Sequence, residues 1–128
     1  MANIMRLSDR YVVKIDDVTF KVSPLSYYEK QELLSCVKLQ GGKEVLDVGK
    51  ANFYYIKKGL KEVSGITDYS GKEWKPEFDD SGVTDECISE LLMLEETSSF
   101  MECAWKVLNG MNEESRKDAR IVIDSKGN

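Results

Sequence analysis

Tyr11-Val-Val-Lys-Ile15 and Val18-Thr-Phe-Lys-Val22 are two short β-rich runs separated only by Asp16-Asp17. Two strand-forming runs with a two-residue polar link read as a tight hairpin. Ser23-Pro24 follows at once and stops the sheet, because proline cannot donate to a β-ladder. Beyond it the pattern changes. Ser26 and Glu29 have the spacing of a capping box, in which each side chain satisfies a free backbone N–H at a helix start. A hairpin that hands over to helix therefore decides the fold class: α+β, mainly α.

The first helix is expected from about Tyr27 to Leu39, with Leu33, Cys36 and Val37 inward and Gly41-Gly42 as its stop. The second is expected from about Val45 to Ser64 and closes at Gly65. Val48, Asn52, Tyr55, Ile56, Gly59 and Val63 recur on one face at the helical period. Lys43, Asp47, Lys50, Tyr54, Lys57 and Lys61 follow the opposite face. Residues 66–83 read as a loop or small hairpin around the Ser70-Gly71 turn, continuing as irregular chain from Pro76 to Gly82. Thr84 caps a third helix whose first turn holds Asp85 and Glu86, where the helix dipole favours negative charge. Its buried edge is Ile88, Leu91 and Leu92.

Ser99 and Glu102 suggest a second capping box, starting a fourth helix near Phe100. Phe100, Ala104, Val107, Leu108 and Met111 form its apolar stripe, with Met101 and Trp105 on the flank. The expected architecture is an N-terminal β-hairpin followed by about four helices, with a small turn or hairpin between the second and third. Residues 1–111 form one globular domain in this reading. Residues 112–128 form a charged, loosely held C-terminal tail whose only apolar cluster is Ile121-Val122-Ile123.

Composition narrows the function more than any motif does. A chain of 128 residues suits one domain and buries roughly two-thirds of its unfolded surface. Histidine is absent, which removes Ser-His and Cys-His catalysis, the commonest general base and most zinc sites. Cys36, Cys87 and Cys103 share no metal-like spacing and read as buried, reduced thiols within helices. Glu77, Asp79, Ser81 and Gly82 match four positions of a calcium-binding loop, but the bidentate glutamate due at the twelfth falls on Ile88. Phosphate-cradling glycine motifs are missing. The reading is therefore a binding protein and not an enzyme, with no catalytic residue, metal or cofactor.

Charge is unevenly placed. Residues 1–64 hold 11 Lys/Arg against 8 Asp/Glu, whereas residues 65–128 hold 7 against 15. Between Pro76 and Trp105 there are nine carboxylates and no basic residue. Such a half repels phosphate backbones, so no nucleic-acid partner is expected. No apolar run is long enough to span a membrane, and the N-terminus lacks the features of a signal peptide. A cytoplasmic protein without a membrane partner is expected. The partner-binding candidates are Lys50, Tyr54, Lys57 and Lys61 on the second helix, with Met101 and Trp105 on the fourth. An aromatic or Met anchor ringed by long charged side chains is a common make-up of binding patches. Solvated helix surface and core packing are the plainer readings of the same residues.

The order of these pieces resembles the tail assembly chaperones of long-tailed bacteriophages and related prophages. The resemblance runs over roughly residues 11 to 111. It rests on the hairpin leading into Ser23-Pro24-Leu25-Ser26-Tyr27-Tyr28-Glu29, the two helices ending in Val63-Ser64-Gly65-Ile66, and the Gly71-Lys72 turn. Pro76-Glu77-Phe78 and Gly82-Val83-Thr84 then lead to the helix carrying Ile88, Leu91 and Leu92. It implies a cytoplasmic protein of the bacterial host that coats and solubilises the tape measure protein and helps recruit tail tube protein. It also implies absence from the finished virion, leaves self-association open, and supplies no catalytic or ligand residues. A small neck or tail-completion component of the virion, or a phage regulatory adaptor, is the alternative.

Overall fold

The computed structural model describes residues 6–108 and 121–124. Its first elements are those the hairpin pattern predicts: strands β1 (Arg10–Ile15) and β2 (Val18–Val22), paired antiparallel with Ile15 opposite Val18. Asp16 takes a φ of 54°, the left-handed conformation that tight two-residue hairpin turns demand at their first position. Val18, Phe20 and Val22 are buried while Thr19 and Lys21 between them are half-buried. That period of two gives the sheet one apolar and one polar face. Lys21 meets Glu62 at 3.5 Å across the polar face.

Ser26 caps α1 (Tyr27–Leu34) with both halves of the capping box formed. The helix then stops early. Ser35 Oγ donates to the carbonyl oxygen of Glu32 at 2.6 Å, and residues 37–46 form a hairpin of β3 (Val37–Gln40) and β4 (Lys43–Leu46). Gly41 and Gly42 form its turn, with φ of 60° and 79°. The expected helix to Leu39 is thus corrected, and the physical reason is the turn: two consecutive positive φ angles close a hairpin.

Helix α2 spans Val48–Gly59, capped by Asp47, whose Oδ1 accepts from the N–H of Lys50. At Leu60 the chain enters β5 (Leu60–Ser64) without a loop. The expected helix to Ser64 is therefore corrected as well. Strand β2 offers an open ladder edge, and pairing Val63 with Phe20 and Leu60 with Val22 satisfies it. Tertiary pairing overrides a local helical period in this way. Lys61 is the extra residue of a β-bulge, since Glu62 faces Lys21 and Leu60 faces Val22.

Residues 66–74 fold back through an isolated bridge between Thr67 and Glu73. A second small hairpin, β6 (Phe78–Asp79) and β7 (Gly82–Val83), replaces the irregular chain expected there. Thr84 caps α3 (Asp85–Leu91) as the sequence indicates. Helix α4 runs from Glu95 to Leu108, so Ser99 and Glu102 lie inside it and form no capping box. Strand β8 (Ile121–Asp124) pairs with β1, giving a four-stranded sheet in the order β5-β2-β1-β8. The apolar cluster expected in the tail is therefore an edge strand. Met111, and the rest of the tail at residues 112–120 and 125–128, lie outside the described residues, as do the side chains of Val107 and Leu108.

Four helices hold 38% of the described residues and strands hold 30%, so the fold is α+β but not mainly helical. Its core lies between the apolar face of the sheet and the helices. Phe20 stacks on Phe100 of α4 with ring centroids 4.3 Å apart, and Tyr55 of α2 meets Phe100 at 6.4 Å. Ile88 and Leu91 of α3 close the same cluster. Among the described residues no helix is long and apolar enough to cross a membrane.

Candidate partner-binding surfaces

The six residues singled out on the second and fourth helices do not share one surface. Met101 is buried in the core. Trp105 is half-buried, and its indole Nε1–H donates to Asn52 Oδ1 of α2 at 2.7 Å. That bond satisfies the one polar atom of the ring and fastens α4 to α2, as a buried indole requires. Met101 thus packs in the core, and Trp105 packs against α2 through Asn52. Lys57 is likewise engaged: its Nζ donates to Asp85 Oδ1 at 2.7 Å and to the Val83 carbonyl oxygen at 3.0 Å. It pins β7 and the start of α3 onto α2. Lys50 is exposed at the N-terminal end of α2 and Lys61 is exposed on β5, so they sit on different elements.

Tyr54 is half-buried, and its hydroxyl donates to Glu32 Oε2 at 2.5 Å, joining α2 to α1. Partial burial, then the hydrogen bond and charge of Glu32, push this phenol well above the usual tyrosine range. The phenol therefore keeps its proton as the donor to Glu32 at physiological pH. None of the three cysteines is in a disulfide; Cys87 is buried and accepts from the Glu77 N–H, and Cys36 and Cys103 are half-buried. Cys36 lies in the link between α1 and β3, not in a helix.

Two other regions carry most of the exposed large apolar side chains. In the first, Tyr27 and Tyr28 are 72% and 81% exposed, and Leu39 at the hairpin is 75% exposed. Leu34, Val37 and Val48 are also exposed. Tyr27 and Leu34 lie seven apart on one face of α1, and Val37 and Leu39 lie two apart on one face of β3. The Asp47 N–H donates to the Cys36 carbonyl at 2.7 Å and closes the hairpin base between α1 and α2. Single exposed apolar residues need no explanation, but a concentration of them within 22 residues does.

The second region is a groove of about 490 Å³ between the turn at residues 66–74 and the corner joining α3 to α4. Ile66, Leu91 and Leu94 line its depth, with Trp74, Tyr69 and Met93 at its walls. Trp74 is held by its Nε1–H, which donates to Glu90 Oε1 at 3.2 Å. Asp68 builds the turn, its Oδ1 accepting from the N–H groups of Ser70 and Lys72 and from Ser70 Oγ. Asp79 repeats the arrangement with Ser81. The calcium-loop residues of the sequence are thus a turn closed on itself.

These hydrogen bonds hold the Asp68 and Asp79 carboxyls below the usual aspartate range. A depressed pKa means stabilisation that is complete above the unfolded value of about 3.9 and is lost as pH falls through the folded one. Carbon-detected NMR titration of the two side chains is expected to give midpoints below that value. Midpoints at or above it would show that the turns are open in solution.

No family model matches the chain, and no curated protein or solved structure matches it either.

Proposed function

We propose that the protein is a phage tail assembly chaperone that binds the tape measure protein, keeps it soluble and helps recruit tail tube protein. The reading starts from a residue order that resembles that family's. The observation that carries it further is the exposed apolar surface on α1, β3 and the start of α2. A holdase for a long amphipathic helical protein needs apolar area presented on a water-compatible body. Tyr27, Tyr28, Leu34, Val37 and Leu39 offer such area, and Glu29, Lys30 and Lys38 lie among them in the chain. Tyrosines are well suited to the task, because they give large contact area with little side-chain entropy to lose.

Co-expression with a cognate tape measure protein is the test. The tape measure protein is expected in the soluble fraction and co-purifying with this chain. Tyr28→Asp combined with Leu39→Asp should return most of it to the pellet while the chain itself stays folded. A tape measure protein that pellets equally with or without the chain would overturn the reading. Recovery of the chain from purified virions would assign it to the particle instead.

A further inference from the structure

We propose that the groove between the 66–74 turn and the α3–α4 corner is a docking site for a basic, amphipathic segment of a partner protein. The groove is rigid where a site needs rigidity. Asp68 fixes the turn with three hydrogen bonds through one oxygen, and the Trp74 N–H donates to the Ile66 carbonyl at 2.8 Å. Trp74 is further oriented by Glu90 of α3. On the opposite wall, the Leu94 N–H donates to the Leu91 carbonyl and sets the corner that holds out Met93. Tyr69 and Met93 stand out almost wholly in water on either side, while Leu91 beneath them is buried. A volume near 490 Å³ accommodates two or three large side chains. Aromatic and methionine walls over an aliphatic floor suit a helix presenting leucine-like anchors, and methionine adapts to imperfect shapes.

Charge selects the occupant. The charged residues lining the groove are Asp68 and Glu90, and both are acids. From Ile66 to Glu96 the chain holds ten carboxylates and two lysines. One of those lysines, Lys75, already pairs with Glu73 at 3.1 Å. An acidic peptide would meet repulsion here, whereas Lys or Arg flanking an apolar stripe would meet complementary charge and enter with the stripe facing Trp74. The same field makes the groove a poor site for nucleic acid. This proposal does not depend on which protein is the natural partner.

Trp74 is itself a reporter, because it forms a wall of the groove. The whole chain is titrated with an 18-residue helical peptide of leucine and lysine, its leucine/glutamate counterpart, and a serine/lysine peptide of equal charge, following the Trp74 indole N–H by NMR. The leucine/lysine peptide is expected to shift that signal saturably, and the other two to bind at least tenfold more weakly. Met93→Glu, at an exposed position, should weaken the leucine/lysine peptide by tenfold or more with an unchanged melting temperature. Glu90→Lys, which also removes the acceptor of the Trp74 indole N–H, should weaken it by tenfold or more in a chain that is still folded. Equal binding of the leucine/glutamate peptide, or of the serine/lysine peptide, would overturn the proposal. So would undiminished binding to both variants. Self-association of the chain alone that Met93→Glu abolishes would give the groove to a second copy and equally overturn it. No phage protein enters this titration, so its failure is separate from failure of the co-expression experiment.

Discussion

Phe100→Ala is expected to destabilise the protein by about 3–5 kcal/mol, the range for removing a fully buried phenylalanine. Its ring is 1% exposed and lies nearly parallel to Phe20, with 15° between the planes. Tyr55 tilts against the same ring from α2. One side chain thus joins the sheet, α2 and α4, and truncating it leaves a cavity where three elements meet. With total stability of about 5–15 kcal/mol for a typical domain, the variant should unfold at a clearly lower urea concentration or fail to fold. Phe20→Ala tests whether the stack itself matters. If it does, the double variant should lose less than the sum of the singles by about 0.5–1.5 kcal/mol. A loss below about 1.5 kcal/mol for Phe100→Ala would mean that α4 does not pack on the sheet.

The parts of the fold that the sequence made legible are those written in local chemistry. The hairpin at residues 10–22, the Ser26–Glu29 capping box and the Thr84 cap each depend on neighbours a few residues away. Elsewhere one local signal served two structures. Gly41-Gly42 can stop a helix or turn a hairpin, and the alternating Val37-Lys-Leu-Gln40 run before it was the clue to the second. Val45 to Ser64 keeps a helical period throughout, yet its last five residues pair with β2. No pattern within those residues announces a strand, because the ladder edge they satisfy lies about 40 positions earlier. The same holds for Ile121–Asp124, which joins β1 from the far end of the chain.

The candidate site was legible only in part, for a related reason. A helical wheel places Lys57 and Tyr54 outward on α2 but cannot show that Asp85 and Glu32 already engage them. It places Met101 and Trp105 beside an apolar stripe but cannot show that Met101 is buried in the core or that Trp105 donates to Asn52 of α2. The groove unites Ile66 and Trp74 with Leu91 and Leu94, which only the folded chain brings together. The acidity of the chain's second half was legible in the sequence, and the apolar Leu91-Leu-Met-Leu94 run within it was the further signal to notice.

Two glycines carry the close approaches that this folding-back requires, and replacing either with alanine should have the second large effect. Gly65 has a φ of 90°, and a Cβ there would fall on the carbonyl oxygen of Asp17 in the first hairpin turn. Gly82 has a φ of 125°, and a Cβ there would fall on the carbonyl oxygen of Lys57. In both places the obstacle is backbone, which cannot swing aside as a flexible side chain does. A left-handed conformation alone costs a non-glycine residue about 1–2 kcal/mol, and overpacking adds about 1–3 kcal/mol. Gly65→Ala and Gly82→Ala are therefore each expected to lose about 2–5 kcal/mol, more than Gly71→Ala. Gly71 is the control, since its φ of 85° is also positive but an added Cβ would meet nothing within 4 Å. Gly71→Ala should cost only the conformational part, about 1–2 kcal/mol. Urea midpoints of the three variants separate strain from collision. If Gly82→Ala unfolds no earlier than Gly71→Ala, β7 does not lie against α2. The bond from Lys57 to Val83 would then have no backbone contact beneath it.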